Sequence, residues 1–268
     1  MPIFAFMMSP EVHAVLYSIV KILFILFIGG SFLYVAFYVA RQMREGRLFS
    51  TETAPLPLAM QPPLVGWLLA ICVLGFIYLQ SMLFPLFVML GTGIVVLQNQ
   101  RPWDIQFGLD RLRLRKVLTI APLVCGAVIL IEAPFVEIAT RILDLFHVPH
   151  PDQESVQTFR QYNDVSSIVE FMLFAVLFNP FIEEMFFRGF LQTFLKNYTS
   201  TGMAIVLSGG VFAFAHLNLG AALPLWLLGV ILGIAYEHTG SILVPYGIHA
   251  CFNLATGLSL LVDKGGTT

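Results

Sequence analysis

The hexapeptide Glu183-Glu184-Met185-Phe186-Phe187-Arg188 places two carboxylates and one guanidinium inside a strongly apolar run. A charged side chain in the hydrocarbon of a membrane costs at least about 2.5 kcal/mol. Three charges within six residues therefore need partners or a function. We expect this segment to lie on a buried helix and to hold the functional residues.

The composition of the chain indicates a membrane environment. Hydrophobic residues make up 58% of its 268 residues and charged residues 11%, against about 45–50% and 25% in soluble domains. The few basic residues lie between hydrophobic runs, which argues against a nucleic-acid partner. Cys72, Cys125 and Cys251 share no short spacing, which argues against a disulfide framework or a zinc ribbon. The composition predicts an integral membrane protein whose partner is the lipid bilayer.

Hydropathy predicts an all-α, polytopic bundle of about eight transmembrane helices, since a hydrocarbon core of about 30 Å takes roughly 20 helical residues. The predicted spans are 14–40, 62–80, 81–97, 117–139, 165–197, 203–217, 221–236 and 241–262. The first four form an N-terminal region, 1–139. The last four form a core, 165–262, which precedes a short tail, 263–268.

Charged residues between the spans predict the orientation of the chain. Cytoplasmic loops carry an excess of Lys and Arg, and the acidic connection 140–164 suits the opposite, extracytoplasmic side. With compact loops and no targeting sequence, we expect a prokaryotic plasma membrane. The residues that predict the cytoplasmic side are Arg41, Arg44, Arg47, Arg101, Arg111, Arg113, Arg115 and Lys116.

The spacing of the charges divides the glutamate pair into two roles. Glu184 and Arg188 are four residues apart with the acid first, the favourable order for a helical ion pair. Glu183 points about 100° away from Glu184, so that it can enter a cavity without being neutralised by Arg188. We therefore predict Glu183 as a general base. Glu237 and His238, in contrast, fall at a predicted loop, where we expect them to be solvated.

Other polar residues of the C-terminal half occur at matching depths. Glu183 and His216 each lie about sixteen residues from the turn between their helices, or roughly 24 Å at 1.5 Å per residue. His249 and Asn253 are four residues apart and share a helix face, as do Phe212 and His216. The pattern predicts one buried polar cavity surrounded by Glu183, His216, His249 and Asn253.

Three polar motifs therefore follow one another, each in a hydrophobic helix. They are Glu183-Glu184-x-x-x-Arg188, Phe212-x-x-x-His216 and His249-x-x-x-Asn253. In this order they resemble the signature motifs of the CPBP family (CAAX proteases and bacteriocin-processing enzymes, also called Abi). The eukaryotic members of that family are the type II CAAX prenyl endopeptidases. The resemblance covers roughly residues 165–260 and marks the core 165–262 as the catalytic part.

The resemblance implies an intramembrane endopeptidase that works without a cofactor. Glu183, assisted by His216, would activate a water, and His249 and Asn253 would donate hydrogen bonds to the oxyanion. Glu184, Arg188 and Phe212 would support these residues. The substrate would be a peptide or protein, and membrane-anchored and prenylated chains are included.

Two alternatives remain beside this interpretation. Two histidines and a glutamate also make a zinc ligand set, so Glu183, His216 and His249 would form the site of a zinc-dependent intramembrane metalloprotease. The other alternative is a non-catalytic membrane scaffold or a bacteriocin-immunity protein that keeps the polar core for packing. The sequence does not determine the oligomeric state or the natural substrate.

Overall fold

A computed structural model describes residues 107–109 and 114–266, and this part of the chain is helical without a strand. The predicted spans 14–40, 62–80 and 81–97 and the basic residues used for orientation lie outside the residues described in detail. The all-α prediction is confirmed for the rest. The helices are α1 (Leu114–Leu145), α2 (Glu154–Gln161), α3 (Val165–Leu195), α4 (Thr201–Ala215), α5 (Leu219–Thr239) and α6 (Leu243–Gly266).

Three of these helices are long and apolar enough to cross a membrane. They are Val117–Leu145 within α1, Val165–Leu195 and Leu219–Thr239, whereas α4 is a shorter apolar helix. These helices support an integral membrane protein, and the count of eight spans stays a prediction. Helix α1 continues past the predicted end at residue 139, and the connection predicted as a loop, 140–164, contains helix α2.

Helix α3 is irregular because it contains a proline at its centre. Two stretches have the wider turn of a π-helix, Phe174–Phe178 and Met185–Gln192. The amide of Asn179 donates to the carbonyl of Phe174, five residues earlier, and Pro180 has no amide hydrogen. The carbonyl of Ala175 therefore lacks its usual helical donors. Such π turns occur often at functional sites.

Helices α4 and α5 pack closely at two glycines. A Cβ atom on Gly229 would lie 2.8 Å from the Cα of Gly209, which is closer than any real contact. Small residues at helix interfaces of membrane proteins allow this approach. A Cβ on the neighbouring Gly210 would meet only Trp226, at 3.9 Å. The contact between Gly209 and Gly229 thus sets the distance between α4 and α5.

A second buried polar group, which we call the closed cluster, consists of Gln192, Lys196 and Glu237. Glu237 lies near the end of α5 and is 2% exposed. Its carboxylate accepts hydrogen bonds from Lys196 Nζ at 2.8 and 3.1 Å and from Gln192 Nε2 at 3.0 Å. The expectation that Glu237 is solvated is wrong, because α5 continues past its predicted end at residue 236 and carries this side chain into the bundle.

Candidate active site

Glu184 lies at the centre of a buried group of charged and aromatic side chains. Its Oε1 atom accepts hydrogen bonds from Arg188 Nη1 at 3.1 Å and from His249 Nδ1 at 2.9 Å. Glu184 and Arg188 are both 0% exposed. The structure therefore contains the ion pair that the i, i+4 spacing predicts, and it adds His249 as a second partner that the spacing did not indicate.

Arg188 is held by more than this carboxylate. Its Nη2 atom donates to the carbonyl of Gly229 at 3.0 Å, and its guanidinium carbon lies 4.9 Å from the centre of the Phe212 ring. A cation over an aromatic face is stabilised by the ring quadrupole, and more so when both are desolvated. Arg188 thus joins α3 to α5 and α4 and fixes the direction in which Glu184 points.

Glu183 has a different environment from its neighbour. Its Oε1 atom accepts a hydrogen bond from Asn179 Nδ2 at 2.5 Å. Its Oε2 atom is buried and has no hydrogen-bond partner among the described residues. The nearest titratable group is His249, whose Nε2 lies 3.7 Å from Oε2. A carboxylate held at one oxygen and unpaired at the other can accept a proton from a bound molecule.

His249 lies between the two glutamates. Its ring is 3% exposed, with Nδ1 on Glu184 and Nε2 directed at Glu183. Because a carboxylate accepts the bond at Nδ1, that nitrogen carries the proton in the neutral ring. The ring also meets Phe212 edge-on, with 5.6 Å between the centroids. His249 is therefore fixed in place on three sides.

His216 is positioned by the end of its own helix. It is the C-cap residue of α4, and its Nδ1 donates to the carbonyl of Phe212 at 2.8 Å. A carbonyl only accepts, so Nδ1 carries the proton and Nε2 is the acceptor. The His216 ring centre lies 4.8 Å from that of Phe212. Within the described part of the chain, no hydrogen bond or ion pair joins His216 to Glu183.

Asn253 satisfies the carbonyl that the proline of α3 leaves free. Its Nδ2 atom donates to the carbonyl of Ala175 at 2.8 Å. A primary amide has two N–H groups and one oxygen, so one N–H and Oδ1 remain for another molecule. The amide of Asn253 on α6 thus supplies the hydrogen bond that the carbonyl of Ala175 lacks within α3.

The predicted site residues surround one cavity of about 250 Å³, which we call the active-site cavity. Ser155, Val156 and Phe159 of α2 also line it, so the segment 154–161 covers one side of the site. Phe159 is fully buried and lies 5.5 Å from the Phe171 ring. The polar side chains that line this cavity include Asn179, Glu183, His216, His249 and Asn253.

Two contributors to this site were missed in the sequence. The hydrogen bond from the Asn179 amide to Glu183 was not predicted, although the i, i+4 spacing of the two residues on a helix could have indicated it. The covering helix α2 lies in a segment whose polar, acidic composition resembles a solvated loop. No local pattern indicates that such a segment folds back over a cavity.

A zinc site requires three or four ligand atoms from His, Cys, Asp or Glu side chains close together. Glu183 Oε2 and His249 Nε2, 3.7 Å apart, could supply two ligand atoms of the predicted set. Among the described residues, however, no three His, Cys, Asp or Glu side chains are grouped to hold a metal ion. The third predicted ligand, His216, is therefore not brought together with the other two in this arrangement.

The fold and the site define a class of protein. It is a helical integral membrane protein with two adjacent glutamates, two histidines and an amide in its C-terminal half. Over residues 165–255 the chain matches the family of type II CAAX prenyl endopeptidase Rce1-like proteins. The match confirms the resemblance predicted from the three motifs and supports the assignment of this region to the CPBP family of CAAX proteases. Comparisons with curated proteins and with solved structures found no match.

Proposed function

We propose that this protein is an integral membrane endopeptidase that hydrolyses a peptide bond within or near the membrane. The observation that carries the proposal is the contrast between the two glutamates. Glu184 is buried away from the cavity and paired with Arg188, whereas Glu183 has no Arg or Lys ion-pair partner among the described residues and lines the active-site cavity. The family match, which covers Glu183, supports the same class of reaction.

In the proposed mechanism Glu183 acts as a general base on water. Its Oε2 atom takes a proton from the water, whose oxygen attacks the scissile carbonyl carbon. The proton then goes to the leaving amine as the carbon–nitrogen bond breaks. Asn179 holds Oε1, so that Oε2 keeps its direction. His216 assists as a second acceptor through its free Nε2, which also lies at the cavity.

His249 and Asn253 are the proposed donors to the oxyanion. Asn253 retains one N–H beside the one that binds Ala175. His249 donates from Nε2 when its ring is protonated. Removal of one such donor typically costs about 2.7–4 kcal/mol of transition-state stabilisation.

The substrate proposed for this site is a peptide segment anchored at the membrane, and a prenylated chain is included. The family is named for prenylated CAAX substrates, and the active-site cavity is lined by apolar groups as well as polar ones. A lipid-modified segment would reach a site between apolar helices without leaving the bilayer. The apolar lining residues include Phe171, Leu225, Leu228, Phe252 and Leu260.

The test is cleavage of a peptide library, with and without a prenyl group, by the purified protein in detergent. Glu183→Gln removes the base and keeps the shape, so we expect the cleavage rate to fall at least about 100-fold. The matched control is Glu170→Gln, the same change at an exposed position of the same helix, with an unchanged rate. A wild-type rate in Glu183→Gln would refute the mechanism, and an inactive wild type would favour the scaffold or immunity protein.

The zinc-dependent alternative has its own experiment. The same assay is run after exhaustive treatment with a chelator, and again after zinc is added back. The metal-free mechanism predicts an unchanged rate in the treated protein. Loss of activity that zinc restores would establish the alternative, with Glu183, His216 and His249 as the ligands to test by substitution.

A further inference from the structure

Glu132 is a buried carboxylate that the proposed mechanism does not use. It lies on α1 within the candidate membrane span Val117–Leu145 and outside the family match. Glu132 is 7% exposed, and its Oε1 atom has no hydrogen-bond partner among the described residues. An ionisable group at such a position is costly and by default indicates a function.

Glu132 lines a second cavity of about 310 Å³, which we call the side cavity. This cavity lies between α1, α5 and α6 and the segment that leads into α2. It adjoins the active-site cavity because the two have wall residues in common. These shared residues are Gln153, Val156, Leu225, Phe252 and Thr256.

Three other polar side chains of the side cavity already have partners. His150 binds Asp144 at 3.0 Å, and this hydrogen bond raises the pKa of His150. Asp152 is paired with Arg160 at 3.3 Å and is largely exposed. Asn218 Oδ1 accepts from the amide of Ala221, the third residue of α5.

Glu132 is thus a buried carboxylate of the side cavity without an ion-pair partner among the described residues, whereas His150 and Asp152 are already paired. No lysine or arginine is among the described residues that line it. A buried, unpaired carboxylate is costly as an anion, and a cation that binds it stabilises that charge. A cavity with one such carboxylate, next to a peptide-cleaving site, complements a cationic group of the substrate.

We propose that the side cavity is a specificity subsite that receives a basic side chain close to the scissile bond, with Glu132 as its ion-pair partner. This inference rests on the proposed function. Val156 and Phe252 separate this subsite from the active-site cavity, so a chain bound across them presents one bond to Glu183 and a neighbouring side chain to Glu132.

The test is a set of peptides cleaved by the wild type, with lysine or its uncharged isostere norleucine at each position around the bond. Each peptide is made with a free and with an acetylated N-terminus. At one position we expect the wild type to prefer lysine, with kcat/KM about tenfold higher. Glu132→Gln should abolish this preference and leave cleavage of the norleucine peptides unchanged, whereas Glu132→Asp should retain part of it.

The control variant is Asp152→Asn, which changes a carboxylate of the same cavity that is exposed and paired. It should keep the preference for lysine. A preference that is equal in wild type and Glu132→Gln would overturn the inference while cleavage itself upholds the proposed function. A preference seen only with a free N-terminus would assign the subsite to the terminal amine and overturn the side-chain proposal. A chain that cleaves no peptide would instead refute the proposed function.

Discussion

Two buried polar clusters lie one after the other along α3, and they differ in one respect. The closed cluster binds every oxygen of Glu237 to Lys196 or Gln192. In the cluster at the active-site cavity, the Oε2 atoms of Glu183 and Glu184 both lack a hydrogen-bond partner among the described residues, and of the two glutamates Glu183 lines the cavity. Burial of charge thus indicates function only where an atom remains uncommitted and a cavity adjoins it.

The clusters are also attached to the rest of the bundle in the same manner. Arg188 donates to the carbonyl of Gly229, and Gln192, one turn later on α3, donates to the carbonyl of Gly233, one turn later on α5. Helix carbonyls usually bind amides of their own helix, so these extra donors join α3 to α5 at two levels. The same contact between α3 and α5 therefore occurs beside the active-site cavity, at Arg188, and one turn later in the closed cluster, at Gln192.

The largest effect on stability is expected from Arg188→Met. The change leaves the fully buried Glu184 without its guanidinium, and loss of one partner of a buried ion pair typically costs about 3–5 kcal/mol. Thermal unfolding in detergent measures the loss, which the double variant with Glu184→Gln should partly reverse because it leaves no uncompensated charge. Losses that simply add in the double variant would contradict the pairing.

A smaller loss is expected from Glu237→Gln in the closed cluster. It removes charged hydrogen bonds to Lys196 and Gln192, for about 2 kcal/mol. The comparison of the two clusters predicts that kcat/KM of the folded protein stays at the wild-type value. The readout is the pair of unfolding and cleavage measurements, and a loss of catalysis at unchanged stability would show that the clusters do not differ as described.

Effects of similar or smaller size are expected at Gly229 and Gly233, whose carbonyls bind Arg188 and Gln192. Gly229→Ala would bring a Cβ to 2.8 Å from backbone atoms of Gly209, whereas Gly233→Ala meets the amide end of the Gln192 side chain at 2.7 Å. The backbone of Gly209 cannot move as easily as the end of the Gln192 side chain. Gly229→Ala should therefore lower the free energy of unfolding by about 1–3 kcal/mol, and Gly233→Ala should lower it by less.

Activity in these glycine variants gives a further comparison. Gly229→Ala displaces the carbonyl that holds Arg188, so we expect cleavage to fall in the folded fraction, while Gly233→Ala leaves it unchanged. Gly210→Ala is the control, since its Cβ would meet only Trp226 at 3.9 Å. Equal stability of Gly229→Ala and Gly210→Ala would contradict the close packing of α4 on α5.

Much of the helical part of this protein could be predicted from its sequence. Long apolar runs predict α1, α3 and α5 because each helix satisfies its own backbone hydrogen bonds and must cover its apolar side chains. The i, i+4 spacing predicts the Glu184–Arg188 pair for the same local reason. The prediction for Glu237 was wrong, because α5 ends at the left-handed C-cap Gly240 and not where the hydropathy falls, so Glu237 stays on the helix.

The sequence by itself determined the membrane class, the helices and the three motifs of the family, since periodicity, hydropathy and short spacing are local properties. Only the tertiary structure decided that His249 binds Glu184, that Asn253 takes the carbonyl freed by Pro180, and that α2 covers the cavity. These contacts join residues far apart in the chain. Their geometry follows from how the helices pack, which no single segment encodes.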